Sequence, residues 1–219
     1  MKRLAMIIVG VFLLAMSSVT MAADGRAYVG GSAGVFIPQN STVTDIYGSS
    51  ADISYDAGFL LNGFGGYEFG NGLRVEGELS YRSADVDNYS YWGRNAYPGT
   101  TYWARNAYLD NYIGAFSMMG NVYYDIRNQS NVTPYLGGGI GFSVVNFESG
   151  VWDNNYSYSY SEDDTVFAYQ LGAGVCIDLN KKVALDIGYR YFGTEDIQLP
   201  TTKVEFSSHN VIVGAKYRF

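Results

Sequence analysis

From Leu73 to Arg82 the chain alternates without exception: Leu73, Val75, Gly77, Leu79 and Tyr81 share one parity, Arg74, Glu76, Glu78, Ser80 and Arg82 the other. Every charge in the run falls on the second set. Successive side chains of a strand point to opposite faces, so this stretch specifies a ribbon with one apolar and one charged face. The design recurs in Val183, Leu185, Ile187, Tyr189 and Tyr191 against Ala184, Asp186, Gly188, Arg190 and Phe192. It recurs again in Val211, Val213, Ala215, Tyr217 and Phe219 against Asn210, Ile212, Gly214, Lys216 and Arg218.

Eight such runs are legible, at 26–37, 55–69, 73–82, 112–126, 132–145, 166–179, 183–192 and 206–219. Their connections alternate in length. Gly70 to Gly72, Arg127 to Asn131 and Asn180 to Lys182 are short, whereas 38–54, 83–111, 146–165 and 193–205 are long. An even number of antiparallel strands with short turns at one end and long loops at the other is the layout of an up-and-down barrel in an outer membrane, with the turns in the periplasm. The expected fold is therefore all-β, an eight-stranded antiparallel transmembrane barrel. A soluble sandwich or lipocalin-like barrel would also alternate, but with its apolar face inward. Gly30, Gly34, Gly137, Gly139, Gly141, Gly172 and Gly174 lie on the parity opposite the bulky apolar residues. That places the small residues inside a narrow barrel and the bulky ones against lipid.

The start of the chain reads as an export signal. Met1-Lys2-Arg3 is charged, Leu4 to Ala15 is an apolar run, and Thr20-Met21-Ala22 presents small residues for cleavage. The expected organisation is a signal at 1–22 and a barrel domain at 23–219. The apolar run is shorter than a membrane-spanning helix needs. Removing residues 1–22 takes two of the 14 basic residues and none of the 21 acidic ones, leaving a net charge of −9. Nucleic acid, which requires clustered Lys and Arg, is excluded as a partner. Cys176 is the one cysteine and has no internal disulfide partner. Its parity points inward, as a small filler.

Gly63 to Tyr81 (GFGGYEFGNGLRVEGELSY), Asn121 to Ile126 (NVYYDI), Thr133 to Ser143 (TPYLGGGIGFS) and His209 to Phe219 (HNVIVGAKYRF) resemble the small outer-membrane barrel family. That family includes the OmpA transmembrane domain, the opacity proteins and many surface antigens. The resemblance covers the strands and not the long loops. It implies an outer-membrane location and contact with outer-membrane lipid. It also implies a closing strand whose Tyr217 and Phe219 form the signal for the assembly machinery. Glu78 stands where the family's inward glutamate pairs with a basic side chain. Unlike the longer OmpA proteins, this chain is expected to carry no peptidoglycan-binding domain after Phe219.

The inward ionisable residues form the first candidate site: Glu68, Glu76, Glu78, Asp125, Asp178 and Asp186 against Arg74, Arg82, Arg190, Lys216 and Arg218. So near a balance favours a paired polar plug over an ion path, because an unpaired charge inside a narrow barrel carries a large desolvation cost. A lipid-modifying or proteolytic enzyme would need a base, and the one histidine, His209, is expected at the external rim after Ser207 and Ser208. Adjacency in sequence does not make a nucleophile and base, so no catalytic residue is assigned. Glu162 to Asp164, with Glu148 and Asp153, lack a calcium-loop pattern, and no metal or cofactor is assigned.

The second candidate lies in the long loops. Tyr91, Trp92 and Tyr97 are echoed by Tyr102, Trp103 and Tyr108, and Trp152 precedes alternating Tyr156, Tyr158 and Tyr160. Such rings among Ser, Gly and Asn suit a recognition surface for a host, glycan or envelope ligand. They equally suit an aromatic girdle or hairpins extending above the membrane. The function expected is structural or adhesin-like, the alternatives being a small passive pore and a lipid-modifying enzyme.

Overall fold

The computed structural model describes residues 25–44, 50–92, 109–153, 156–195, 197–199, 202–204 and 206–219. In chain order the strands are β1 (Arg26–Pro38), β2 (Ser41–Thr44), β3 (Ser50–Tyr55), β4 (Gly58–Glu68), β5 (Leu73–Trp92) and β6 (Leu109–Asp125). They continue with β7 (Val132–Asp153), β8 (Tyr156–Asp178), β9 (Val183–Thr194), β10 (Ile197–Leu199), β11 (Thr202–Val204) and β12 (Ser207–Arg218). Eight of them close a ring in the order β1, β4, β5, β6, β7, β8, β9, β12, with every pairing antiparallel. The closing seam runs from Tyr28↔Arg218 to Pro38↔Ser208, so neither terminal barrel strand keeps a free edge there.

Local chemistry shapes the short turns. Gly72 adopts a left-handed backbone with φ of 94°, and the Asn71 side chain accepts from the Leu73 amide at 3.0 Å. Asn180 accepts from the amides of Lys182 and Val183 in the same way. Arg127 ties one turn to another by donating to the carbonyls of Gly70 and Phe69.

At the other end, strands replace much of what reads as loop. Segments 146–153 and 156–165 are paired strand: β7 and β8 stay in register from Val132↔Ile177 to Asp153↔Tyr156. The Tyr/Ser alternation of residues 156–161 is itself a strand pattern, which is why the pairing continues. β5 likewise runs to Trp92, and beyond Asp85↔Tyr112 it exchanges β6 for β3 as partner. The loops read at 38–54 and 193–205 contain β2 and β3, and β10 and β11.

The apolar parity faces outward. Val213, Leu136, Phe142 and Leu171 are each more than half exposed, whereas Glu78 and Asn210 are fully buried inside the ring. That is the reverse of a soluble barrel. Two aromatic belts bound the apolar face: Phe59, Tyr81, Phe116, Tyr169 and Tyr189 toward the long connections, and Phe69, Tyr124, Tyr217 and Phe219 toward the short ones. Between His209 and Tyr217 the outward positions of β12 are Val211, Val213 and Ala215. At a rise of about 3.3 Å per residue this stretch is about 26 Å long, or about 20 Å along the axis of a barrel tilted by about 40°, most of the apolar band of an outer-membrane barrel.

Candidate functional site

The barrel lumen divides into two halves. The half toward the short turns is ionic. Arg190 binds Glu78, which is fully buried, and also approaches Glu76 at 4.0 Å. Glu76 accepts from the Tyr28 hydroxyl at 2.8 Å and faces Arg74 at 3.7 Å. Arg74 in turn meets Asp125 at 3.4 Å, and its guanidinium lies 4.5 Å and 4.8 Å from the ring centres of Tyr123 and Tyr135. Below them Glu68 bridges Lys216 (3.1 Å) and Arg218 (2.9 Å), and Arg218 reaches Asp178 at 2.6 Å. The glycines make room for the rings: a Cβ at Gly174 or Gly188 would meet the Tyr135 hydroxyl at 2.5 Å or 2.6 Å.

Two residues depart from simple acid–base pairing. Asp186 is held by the Tyr135 hydroxyl at 2.6 Å and has no basic partner within 4 Å among the described residues. Arg82 is buried, has no carboxylate within 4 Å among the described residues, and donates to Ser80 and Ser117. Its guanidinium stacks 3.9 Å from the centre of the Phe192 ring. An alternation pattern assigns a face and not a partner, so counting acids against bases overestimated the pairing.

Arg82 and Phe192 mark the boundary. Toward the long connections the charges give way to an apolar cluster of Phe36, Leu60, Val145, Phe192 and Phe206, with Phe206 within 5.9 Å of Phe36 and 6.2 Å of Phe192; Met119, opposite Glu78, and Ile212, opposite Gly188, carry the cluster down beside the ionic network. At the opposite mouth a vestibule of about 390 Å³ opens, lined by Arg26, Glu68, Asp125, Asp178, Lys216 and Arg218 among others. Its floor is the ionic network.

A closed antiparallel ring, apolar outside and ionic within, is the arrangement that a model of the outer membrane protein beta-barrel domain matches over residues 7–219. The chain belongs to the outer-membrane β-barrel family. An uncharacterized protein of Brucella abortus is 30% identical over 138 residues, which are 58% of this chain and 48% of that protein. Opacity protein V28 of Neisseria gonorrhoeae is 29% identical over 113 residues, 49% of this chain and 44% of that protein. The chain thus spans about half the length of the curated relatives it matches. The crystal structure of Neisserial surface protein A has the same fold, with a TM-score of 0.51 at 21% identity over 88% of this chain and 97% of that one. This is an outer-membrane protein, and its short turns face the periplasm.

As in any barrel of this family, the outward and extracellular residues meet different surroundings from the lumen. Tyr217 and Phe219 sit outward at the periplasmic end, edge to face at 5.5 Å. Tyr91 and Trp92 lie on β5 and Trp152 on β7, strands rather than loops, while their side chains lie outside the described residues. Tyr97, Tyr102, Trp103 and Tyr108 lie outside the described residues altogether, as does the export signal read at 1–22. His209 and Ser208 occupy opposite faces of β12: Ser208 is buried in the lumen, and His209 contacts outward Tyr189 and Tyr191. Sequence reasoning overlooked Tyr28, Tyr123 and Tyr135, and the apolar Phe36, Leu60 and Phe206. All six share the inward parity, which was the signal available.

Proposed function

We propose that the barrel is a rigid platform whose work is surface interaction through its extracellular segments. What supports this above all is the β7–β8 hairpin, whose pairing continues from Val145↔Asp164 to Asp153↔Tyr156, past the filled lumen. A packed interior beneath long paired strands suits display rather than passage. The sequence of that hairpin supplies Trp152, Tyr156, Tyr158 and Tyr160 among serines, and the neighbouring segment supplies Tyr91, Trp92, Tyr97, Tyr102, Trp103 and Tyr108. Rigid aromatic rings beside adaptable polar groups make contact area at low entropic cost. Acidic residues outnumber basic ones in each of the four extracellular segments, which favours a basic or neutral partner, a protein surface or uncharged glycan, over a polyanion.

Replacing 91–108 by a Gly-Ser linker should leave a barrel that still shows a heat-dependent gel shift yet abolish cell adhesion to matrix protein or neutral glycan. Equal adhesion by the replaced and unaltered proteins, or none by the unaltered one, overturns the reading. The periplasmic vestibule is the observation that favours a passive pore. Steady large conductance in a planar bilayer would decide for it; the packed lumen leads us to expect none. Export by cleavage after residue 22 and recognition of Tyr217 and Phe219 by the assembly machinery complete the proposal. Phe219→Ala should then lower the yield of folded barrel in the outer membrane.

A further inference from the structure

We infer that the periplasmic mouth of the barrel is a binding site for a small hydroxylated phosphate ester, of the size of a sugar phosphate. The vestibule of about 390 Å³ is lined by Arg26, Arg127, Lys216 and Arg218 against Glu68, Asp125 and Asp178. Four cations thus face three carboxylates, in a chain whose net charge is −7. Lys181 and Lys182, in the turn between β8 and β9 at the same end, add to the local excess. Positive charge gathered in a cleft of an acidic protein draws anions to that cleft.

The floor holds buried groups whose hydrogen bonding is unfinished. The Lys216 side chain is 1% exposed, yet its Nζ makes one hydrogen bond, to Glu68 Oε1 at 3.1 Å. Two of its three protons therefore have no protein acceptor among the described residues. Asp125 Oδ1 is buried and likewise has no hydrogen-bond partner, Arg74 approaching it only to 3.4 Å. Buried donors and acceptors left in this condition are costly. A phosphate group supplies the acceptors for Lys216, and a hydroxyl on the same molecule supplies the donor for Asp125. A hydroxyl suits Asp125 better than an amine, because Arg74 already stands beside it with a positive charge. At the rim Arg26 donates to the Lys181 carbonyl and Arg127 to those of Gly70 and Phe69, and neither has a carboxylate within 4 Å among the described residues. Their charge is left for the entering anion. The lining comes from β1, β4, β6, β7, β8 and β12, so the site lies inside the ring. A phospholipid, whose acyl chains stay outside the wall, cannot seat its headgroup there, and the apolar cluster above stops passage. The ligand is a periplasmic solute that is held and not transported.

The test is isothermal titration calorimetry of the refolded full-length barrel in a phosphate-free detergent. The probes are glucose phosphate, inorganic phosphate, glucose and short-chain phosphatidylglycerol. Glucose phosphate should saturate one site, inorganic phosphate should bind more weakly, and glucose should not bind. Lys216→Met, which leaves Arg218 to pair with Glu68, should abolish binding, with the heat-dependent gel shift verifying the fold. Arg127→Gln, a change at the exposed rim, should weaken binding about three- to tenfold, the worth of one hydrogen bond. No binding by the unaltered barrel overturns the inference, as does unchanged affinity in folded Lys216→Met. Should Lys216→Met not fold, unchanged affinity in Arg127→Gln overturns it instead. Inorganic phosphate bound as tightly as the ester would overturn the ester class. Displacement of glucose phosphate by phosphatidylglycerol would assign the site to a lipid headgroup and overturn the inference too.

Discussion

The periplasmic and extracellular halves of the lumen fill the same barrel with opposite chemistry. Below Arg82, carboxylates and guanidiniums are taken out of water and compensated by one another and by tyrosines. Above it, phenylalanines and aliphatic side chains exclude water with no charge to compensate. The apolar half is stabilised by contact area, which tolerates small rearrangements. The ionic half depends on geometry, because removing one partner leaves the other charge buried and exposed to the full desolvation cost. One half seals and the other specifies.

The largest effect should come from breaking the ionic half at its centre. Glu78→Ala strands Arg190 and should cost about 3–5 kcal/mol, read as a lowered urea midpoint in phosphatidylcholine vesicles. Replacing both Glu78 and Arg190 by leucine should recover most of that loss. A double variant as unstable as the single one would show that the pair itself, and not the orphaned charge, matters. Next in size is a charge on the wrong face. Val213→Arg should cost about 2–4 kcal/mol near the midplane, and normal assembly of that variant would contradict the outward assignment of its parity.

Smaller changes sharpen the contrast. Ile212→Val, one residue away but facing the lumen as part of its apolar cluster, should cost about 0.5–1.5 kcal/mol, with the same value at low and high salt. Asp178→Asn loosens the bond to Arg218 at the vestibule, where the carboxylate is 42% exposed. It should cost about 0.2–1 kcal/mol and less as salt is raised. A salt response at Ile212, or none at Asp178, would erase the distinction between the halves.

Much of this was legible in the sequence. Each of the eight runs contains or overlaps one barrel strand, because a period-two pattern is local and needs no knowledge of the partner strand. The inward positions of Glu76, Glu78 and Arg190 followed from the same rule. The boundaries at the extracellular end did not, since strands such as β7 and β8 continue through polar segments where no buried face imprints a pattern. Nor did the contacts of His209, whose partners are Gln39, just past the end of β1, and Tyr189, in the middle of β9.

The amino-acid sequence by itself determined the number of barrel strands, the face each presents, the end that carries the turns and the reversal of polarity that lipid demands. The tertiary structure alone decided that Glu78 meets Arg190, 112 residues away, that tyrosines stand in as partners of Arg74 and Asp186, and that Phe36, Phe192 and Phe206 close the upper lumen. Alternation is a property of one strand. Contacts across a lumen depend on how far each strand is staggered past its neighbours when the ring closes, and that stagger is a property of all eight at once.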